Sequence, residues 1–141
     1  MKPSKTIINA AAYEAKDASH RHHHGAVVFD KSVIISSGHN LSFRYSTKIP
    51  PELKTLYYPG SMHAEVMAII NMFAKAKFVP YDRREMLVVR INKQMQLRDS
   101  CPCNSCMEVL AYYNFKRVWF YHKDFYGGNT ILDCIDIKRV G

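Results

Sequence analysis

Two short stretches constrain this chain more than any other feature. The first is Ser61-Met62-His63-Ala64-Glu65-Val66, which offers an imidazole and, two residues later, a carboxylate. The second is Pro102-Cys103-Asn104-Ser105-Cys106, which offers two thiols at i and i+3. A C-x-x-C pair alone is shared by redox and structural zinc sites. Joined to an upstream histidine, it points to a metal held by nitrogen and thiolate. Zinc accepts such donors in a tetrahedron, and a catalytic site leaves one position open. His63, Cys103 and Cys106 then supply three ligands. Cys101 is a further thiol beside them, and a closed four-ligand structural site including it is the rival reading.

The local pattern places both stretches at helix starts. Ser61 is the expected N-cap of a helix that buries Val66, Ile69, Ile70 and Phe73. Pro102 suits the first turn of the next helix, where its missing N–H costs nothing. Asn114 is expected to end that helix in the left-handed conformation. Helix N-termini carry partial positive charge and unpaired N–H groups, which favour thiolate over thiol.

Helices and strands alternate along the rest of the chain. Residues 4–18 carry Ile7, Ile8, Ala11, Ala12 and Ala15 at helical spacing, with Ser4 as N-cap. Gly25–Phe29 and Val33–Ser37 read as two strands joined by a turn at Asp30-Lys31-Ser32. A long connector, 41–61, contains Arg44, Lys48 and Lys54 and three prolines. Met86–Ile91 and Val118–Tyr121 are further strands, and Ile131, Ile135 and Ile137 mark a fifth. Too few residues separate the last two for a parallel crossover, which needs about a dozen or more. An antiparallel pair turning at Gly127-Gly128 is therefore expected. The histidine-rich segment His20–His24 reads as a solvated loop before the first strand. Cys134 reads as a small buried hydrophobe.

Together the stretches form the H-x-E…P-C-x-x-C signature of zinc nucleobase deaminases. The chain thus resembles the cytidine/deoxycytidylate deaminase superfamily. The motif pieces run from Gly38 to Leu110, within a layout that fits from about residue 5 to 137. The resemblance implies an α/β, three-layer fold, a mixed sheet of about five strands flanked by helices. It implies Zn2+ at His63, Cys103 and Cys106, with Glu65 as the catalytic proton shuttle. It also implies substrate contacts from Asn40, which would meet the sugar, and from Ala64. Tyr121 and Phe125 follow the fourth strand, where related polynucleotide deaminases choose the neighbouring base. Asn40 is followed by Leu41. The free-cytidine branch usually has glutamate there, and the deoxycytidylate branch glycine.

One domain over 1–141 is expected, because 141 residues with 48% apolar content suffice for one core. No run of 18 apolar residues occurs, so no membrane partner is expected. Three of the four cysteines fall within six residues, which suits a metal and a reducing, cytoplasmic setting rather than a disulfide framework. The formal charge of +8 favours a phosphorylated partner. Arg44, together with Lys48 and Lys54, is placed to reach a 5′-phosphate. The expected substrate is a free cytidine nucleotide or nucleoside, handled by a homo-oligomer. One alternative is cytosine or adenine within RNA or single-stranded DNA. Another is a non-catalytic, zinc-stabilised nucleic-acid-binding module.

Overall fold

The first helix, α1 (Lys5–Lys16), buries Ile7, Ala11 and Ala15, spaced four residues apart along one face. Ser4 caps it by accepting from the Ile7 N–H at 3.3 Å. The computed structural model that shows this describes residues 2–18, 22–42, 61–75, 83–123 and 129–137. Arg44, Lys48, Lys54, Phe125 and the turn expected at Gly127-Gly128 lie outside the described residues.

After α1 come β1 (His23–Asp30) and β2 (Val33–His39), an antiparallel hairpin whose turn residue Lys31 takes a φ of 55°. Two short strands follow, β3 (Leu41–Ser42) and β4 (Ser61–Met62), paired with each other. Helix α2 spans Ala64–Ala74. Then come β5 (Glu85–Ile91), β6 (Leu97–Arg98), helix α3 (Asn104–Tyr112), β7 (Arg117–Lys123) and β8 (Thr130–Asp136). The main sheet runs β2-β1-β5-β7-β8, with β6 beside β5. Its pairs are antiparallel except β5 with β7. The sheet is mixed as expected, β7 and β8 are antiparallel, and β6 makes it six-stranded.

Alternation along the strands sorts the core into two layers. Val27, Phe29, Leu87, Val89 and Trp119 pack with Ile7, Ala11 and Ala15 of α1. Ala26, Val28, Met86, Val88 and Val118 pack on the other face with Ile69 and Met72 of α2 and Val109 and Leu110 of α3. Glycine sets how closely two helices approach. A Cβ at Gly25 would overlap the Ala11 carbonyl oxygen of α1, and one at Gly38 would overlap the Ala68 nitrogen of α2. Polar contacts complete the α2 docking: Ser36 Oγ donates to Ala68 O at 2.8 Å, and Asn71 Nδ2 to Ser37 O at 2.7 Å. The backbone carrying the His63-Ala64-Glu65 stretch is thereby held directly against β2.

Phe73 departs from the expected buried stripe. It is 50% exposed, its ring 5.4 Å from Tyr113, while Ala68 and Met72 fill the face turned to the sheet. Asn114 has the expected left-handed backbone, with a φ of 59°. Cys134 is half-buried rather than buried.

Candidate metal centre and cavity

His63 is the N-cap of α2, and Cys103 is the N-cap of α3. This corrects the expectation that Ser61 caps α2, since Ser61 pairs with Ser42 in the β3–β4 ladder. It also moves Pro102 to the residue before the cap. The physical reason is the same at both helices. Each N-cap residue is extended (ψ 153° and 168°) and neither side chain makes a capping bond. Both side chains therefore point past the helix end, where the first N–H groups lack intrahelical partners.

Cys106 lies one turn into α3 and is fully buried. His63 Nδ1 stands 3.2 Å from Cys106 Sγ and 3.6 Å from Cys103 Sγ. All three ligand atoms lie within 4.8 Å of one another. A tetrahedral zinc with ordinary N and S bond lengths separates neighbouring ligand atoms by about 3.5–3.8 Å. The donor set and its spacing fit that ion. Among the described residues, this compact group does not include Cys101. Cys101 is exposed, its Sγ 3.8 Å from the carbonyl of Pro102. The thiols differ accordingly. Hydrogen bonding from Cys106, with help from the His63 charge, draws the Cys103 thiol down to about 5. Burial and Asp99 push the Cys101 thiol up.

Glu65, at the second position of α2, is 4% exposed. Burial pushes its carboxyl upward, opposed by a backbone hydrogen bond and the neighbouring His63 charge. Glu65 and Ala64 line a cavity of about 230 Å³ together with His63 and Cys103. Asn40, His22, His24 and Ser100 complete much of the wall.

Asn40 does more than wait for a ligand. Its Oδ1 accepts from the His24 N–H at 2.9 Å, and its Nδ2 donates to the His22 carbonyl. The side chain staples the entry of β1 to the end of β2, and that pairing fixes which way the amide faces.

Tyr121 stands apart from the sequence reading. Its ring is 8% exposed and packs on the α1 face with Trp119, outside the cavity lining. The cause is strand parity: Tyr121 is two residues beyond Trp119, so both face α1.

Three wall residues, His22, His24 and Ser100, carried no functional expectation from the sequence. The segment taken for a solvated loop ends in His23 and His24, the first residues of β1. His24 shares the α2 face with Ala26 and Val28, a placement that alternation alone would have suggested. Ser100 gave no local signal. Its Oγ donates to Val88 O and accepts from the Tyr121 N–H, at 2.8 and 2.9 Å, while its own N–H donates to Tyr121 O at 2.8 Å. It thus bridges β5 and β7 just beyond their last parallel pair, Leu87 with Trp119. The cavity opens beyond the carboxyl ends of these strands, the usual place for a ligand in an α/β sheet.

His24 makes a pH prediction. Burial, then the Arg90 charge, holds its pKa down to about 4 from the usual 6.5. As pH falls from 6.5 towards about 4, the unfolded chain takes up a proton that the folded chain refuses. Stability should decline across that window. Melting temperature against pH should be flatter there for His24→Asn than for the parent. Parallel profiles would mean that His24 is not held neutral.

The family described as "Cytidine and deoxycytidylate deaminase zinc-binding region" matches residues 1–122. No curated protein matches the sequence. Among solved structures, the chain is similar to a cytidine deaminase from Burkholderia pseudomallei, with TM-score 0.60, 16% identity, and coverage of 94% of this chain and 92% of that one. It is also similar to a dCMP deaminase from the cyanophage S-TIM5 in apo form, with TM-score 0.55, 20% identity, and coverage of 91% and 89%. The same phage enzyme in complex with dCMP and dUMP gives TM-score 0.52 at 20% identity, covering 86% and 84%. At these identities the likeness is one of fold.

Proposed function

The chain belongs to the cytidine and deoxycytidylate deaminase zinc-binding family, and from that premise we propose that it is a zinc-dependent hydrolytic deaminase converting cytosine to uracil in a free cytidine nucleotide or nucleoside. The observation that carries this reading is the placement of a buried carboxylate, Glu65, in one cavity with His63 and Cys103.

His63, Cys103 and Cys106 would hold the zinc. When bound, zinc would supply a nucleophile at neutral pH by lowering the pKa of its water to about 7. Glu65 accepts the water's proton on its carboxylate and passes it to the ring nitrogen beside the amine-bearing carbon. It then delivers a proton to the departing ammonia. Water is consumed, ammonia leaves, and the amine-bearing carbon becomes a carbonyl. Ala64 opens α2, and the N–H groups of a helix's first turn lack helical partners. That end suits an acceptor on the base.

The clustered thiols favour a reducing compartment such as the cytoplasm. Among the described residues no helix is long and apolar enough to cross a membrane. Half-exposed Ile131 and Ile135 on the edge strand β8 support self-association.

Ammonia release from cytidine, CMP, dCMP, their triphosphates and a mixed oligonucleotide tests the proposal. Release from one or more of the free forms supports it. A zinc-loaded protein inactive on all of them overturns it, and activity on the oligonucleotide alone replaces the substrate class.

A further inference from the structure

A second hollow, of about 490 Å³, adjoins the zinc cavity, and His22 lines both. Its walls carry Arg90, Lys93, Arg98 and Lys123 against a single carboxylate, Asp99. Asp99 is itself engaged, its Oδ1 accepting from the Cys101 N–H at 3.1 Å.

The strand register ties this hollow to the cavity. His24 on β1 is directly opposite Arg90 on β5, and Arg90 is directly opposite Arg98 on β6. Directly opposed residues of antiparallel strands share a face. His24, Arg90 and Arg98 therefore form one row across three strands, on the face that carries α2 and the metal group. The row begins in the wall of the cavity and ends in the hollow.

Like charges directly opposed across strands are destabilising. A sheet would ordinarily relieve them with a carboxylate, as this one does elsewhere: Arg83 pairs with Asp30, and Arg117 with Glu85 and Asp136. Among the described residues, none of Arg90, Lys93, Arg98 and Lys123 forms an ion pair. Arg90 is half-buried, its NH2 group 3.1 Å from His22 Nδ1, so it is not simply a solvated surface cation. The unrelieved charge is concentrated beside the cavity and opens onto a space large enough for a ligand.

We propose that this hollow is a phosphate site, and that it holds the phosphate of the nucleotide whose base enters the zinc cavity. Arginine suits the role because its planar fork presents paired donors to phosphate oxygens. The inference rests on the deaminase reading for the identity of the base and on the hollow itself for the phosphate. The phosphate has two sources, the 5′-phosphate of a free nucleotide or the backbone of a strand. In either case it is read by β5 and β6.

Calorimetry on the zinc-loaded protein tests this with uridine, UMP, inorganic pyrophosphate and an oligothymidylate. Arg98→Gln changes an exposed residue of a two-residue strand and should fold normally. Arg90→Gln is the second variant, and Lys5→Gln removes one positive charge from α1 on the opposite face as a control. UMP should bind the parent more tightly than uridine. Each arginine variant should lose about tenfold in affinity for pyrophosphate and for the true phosphate source, with Lys5→Gln unchanged. A loss confined to UMP identifies a free nucleotide. A loss on the oligothymidylate, with a salt slope reduced by about 1, identifies a strand. Equal binding of UMP and uridine by the parent, or pyrophosphate binding that is absent or survives both arginine variants, overturns the proposal. Pyrophosphate has no base, so the phosphate site can hold while the ammonia assay fails, and the reverse.

Discussion

Zinc-loaded Glu65→Gln protein is expected to keep its fold and its metal while turnover falls by about 10²- to 10⁴-fold, the usual contribution of a general acid–base group. The substitution preserves the volume of a nearly fully buried side chain, so the packing around the first turn of α2 should survive. It removes only the ability to take and return a proton. Stability supplies a second readout. Burial raises the Glu65 carboxyl above its ordinary value, so ionising it costs more in the fold than in the unfolded chain. Metal-free Glu65→Gln should therefore melt no lower than the metal-free parent. Turnover near the parental level in a zinc-loaded variant would remove Glu65 from the reaction.

The parts of this fold legible in the sequence are those encoded within a few residues. Ser4 before an apolar helical stripe announces its cap, and the structure shows that bond. Asn114 at a helix end takes the left-handed backbone that asparagine tolerates. The short β7–β8 connection allows only an antiparallel return. The metal group is legible for a related reason: its spacing within each stretch fixes a local geometry. Bringing the two stretches together is a tertiary event, and only the resemblance supplied it.

The illegible parts depend on contacts far apart in the chain. β6 has two residues and exists because Leu97 and Arg98 pair with Ile91 and Arg90 after a tight reversal. Ser100 matters because it bridges β5 to β7, which no window of sequence can show. The side of Tyr121 was not legible, because strand parity says which residues share a face, but not which face meets the cavity. His22 and His24 were hidden by composition. A histidine run looks solvated until the register sets His24 beside Arg90. Gly25 and Gly38 belong with these, since each is required by the backbone of a helix that packs on it.

Cys106→Ala should have the largest effect on the folded state. Cys106 is the buried member of the metal group, on α3, 3.2 Å from the imidazole that comes with α2. Zinc held there ties together two helices that pack on the same face of the sheet. Binding of structural zinc to small domains is worth roughly 10–16 kcal/mol at neutral pH, and much of that is coupled to folding. A small domain's whole stability is only about 5–15 kcal/mol. Loss of this ligand should therefore leave less than stoichiometric zinc and abolish a cooperative melt, or lower it by tens of degrees. Metal analysis and calorimetry on purified protein measure both. Cys101→Ala is the matched comparison, since it removes a thiol only two positions before Cys103 that lies outside the compact group. It should retain one zinc per chain and melt close to the parent. Loss of zinc from Cys101→Ala would mean a closed four-ligand site with no open position for water. The deaminase reading would then fall, and a zinc-stabilised module would take its place.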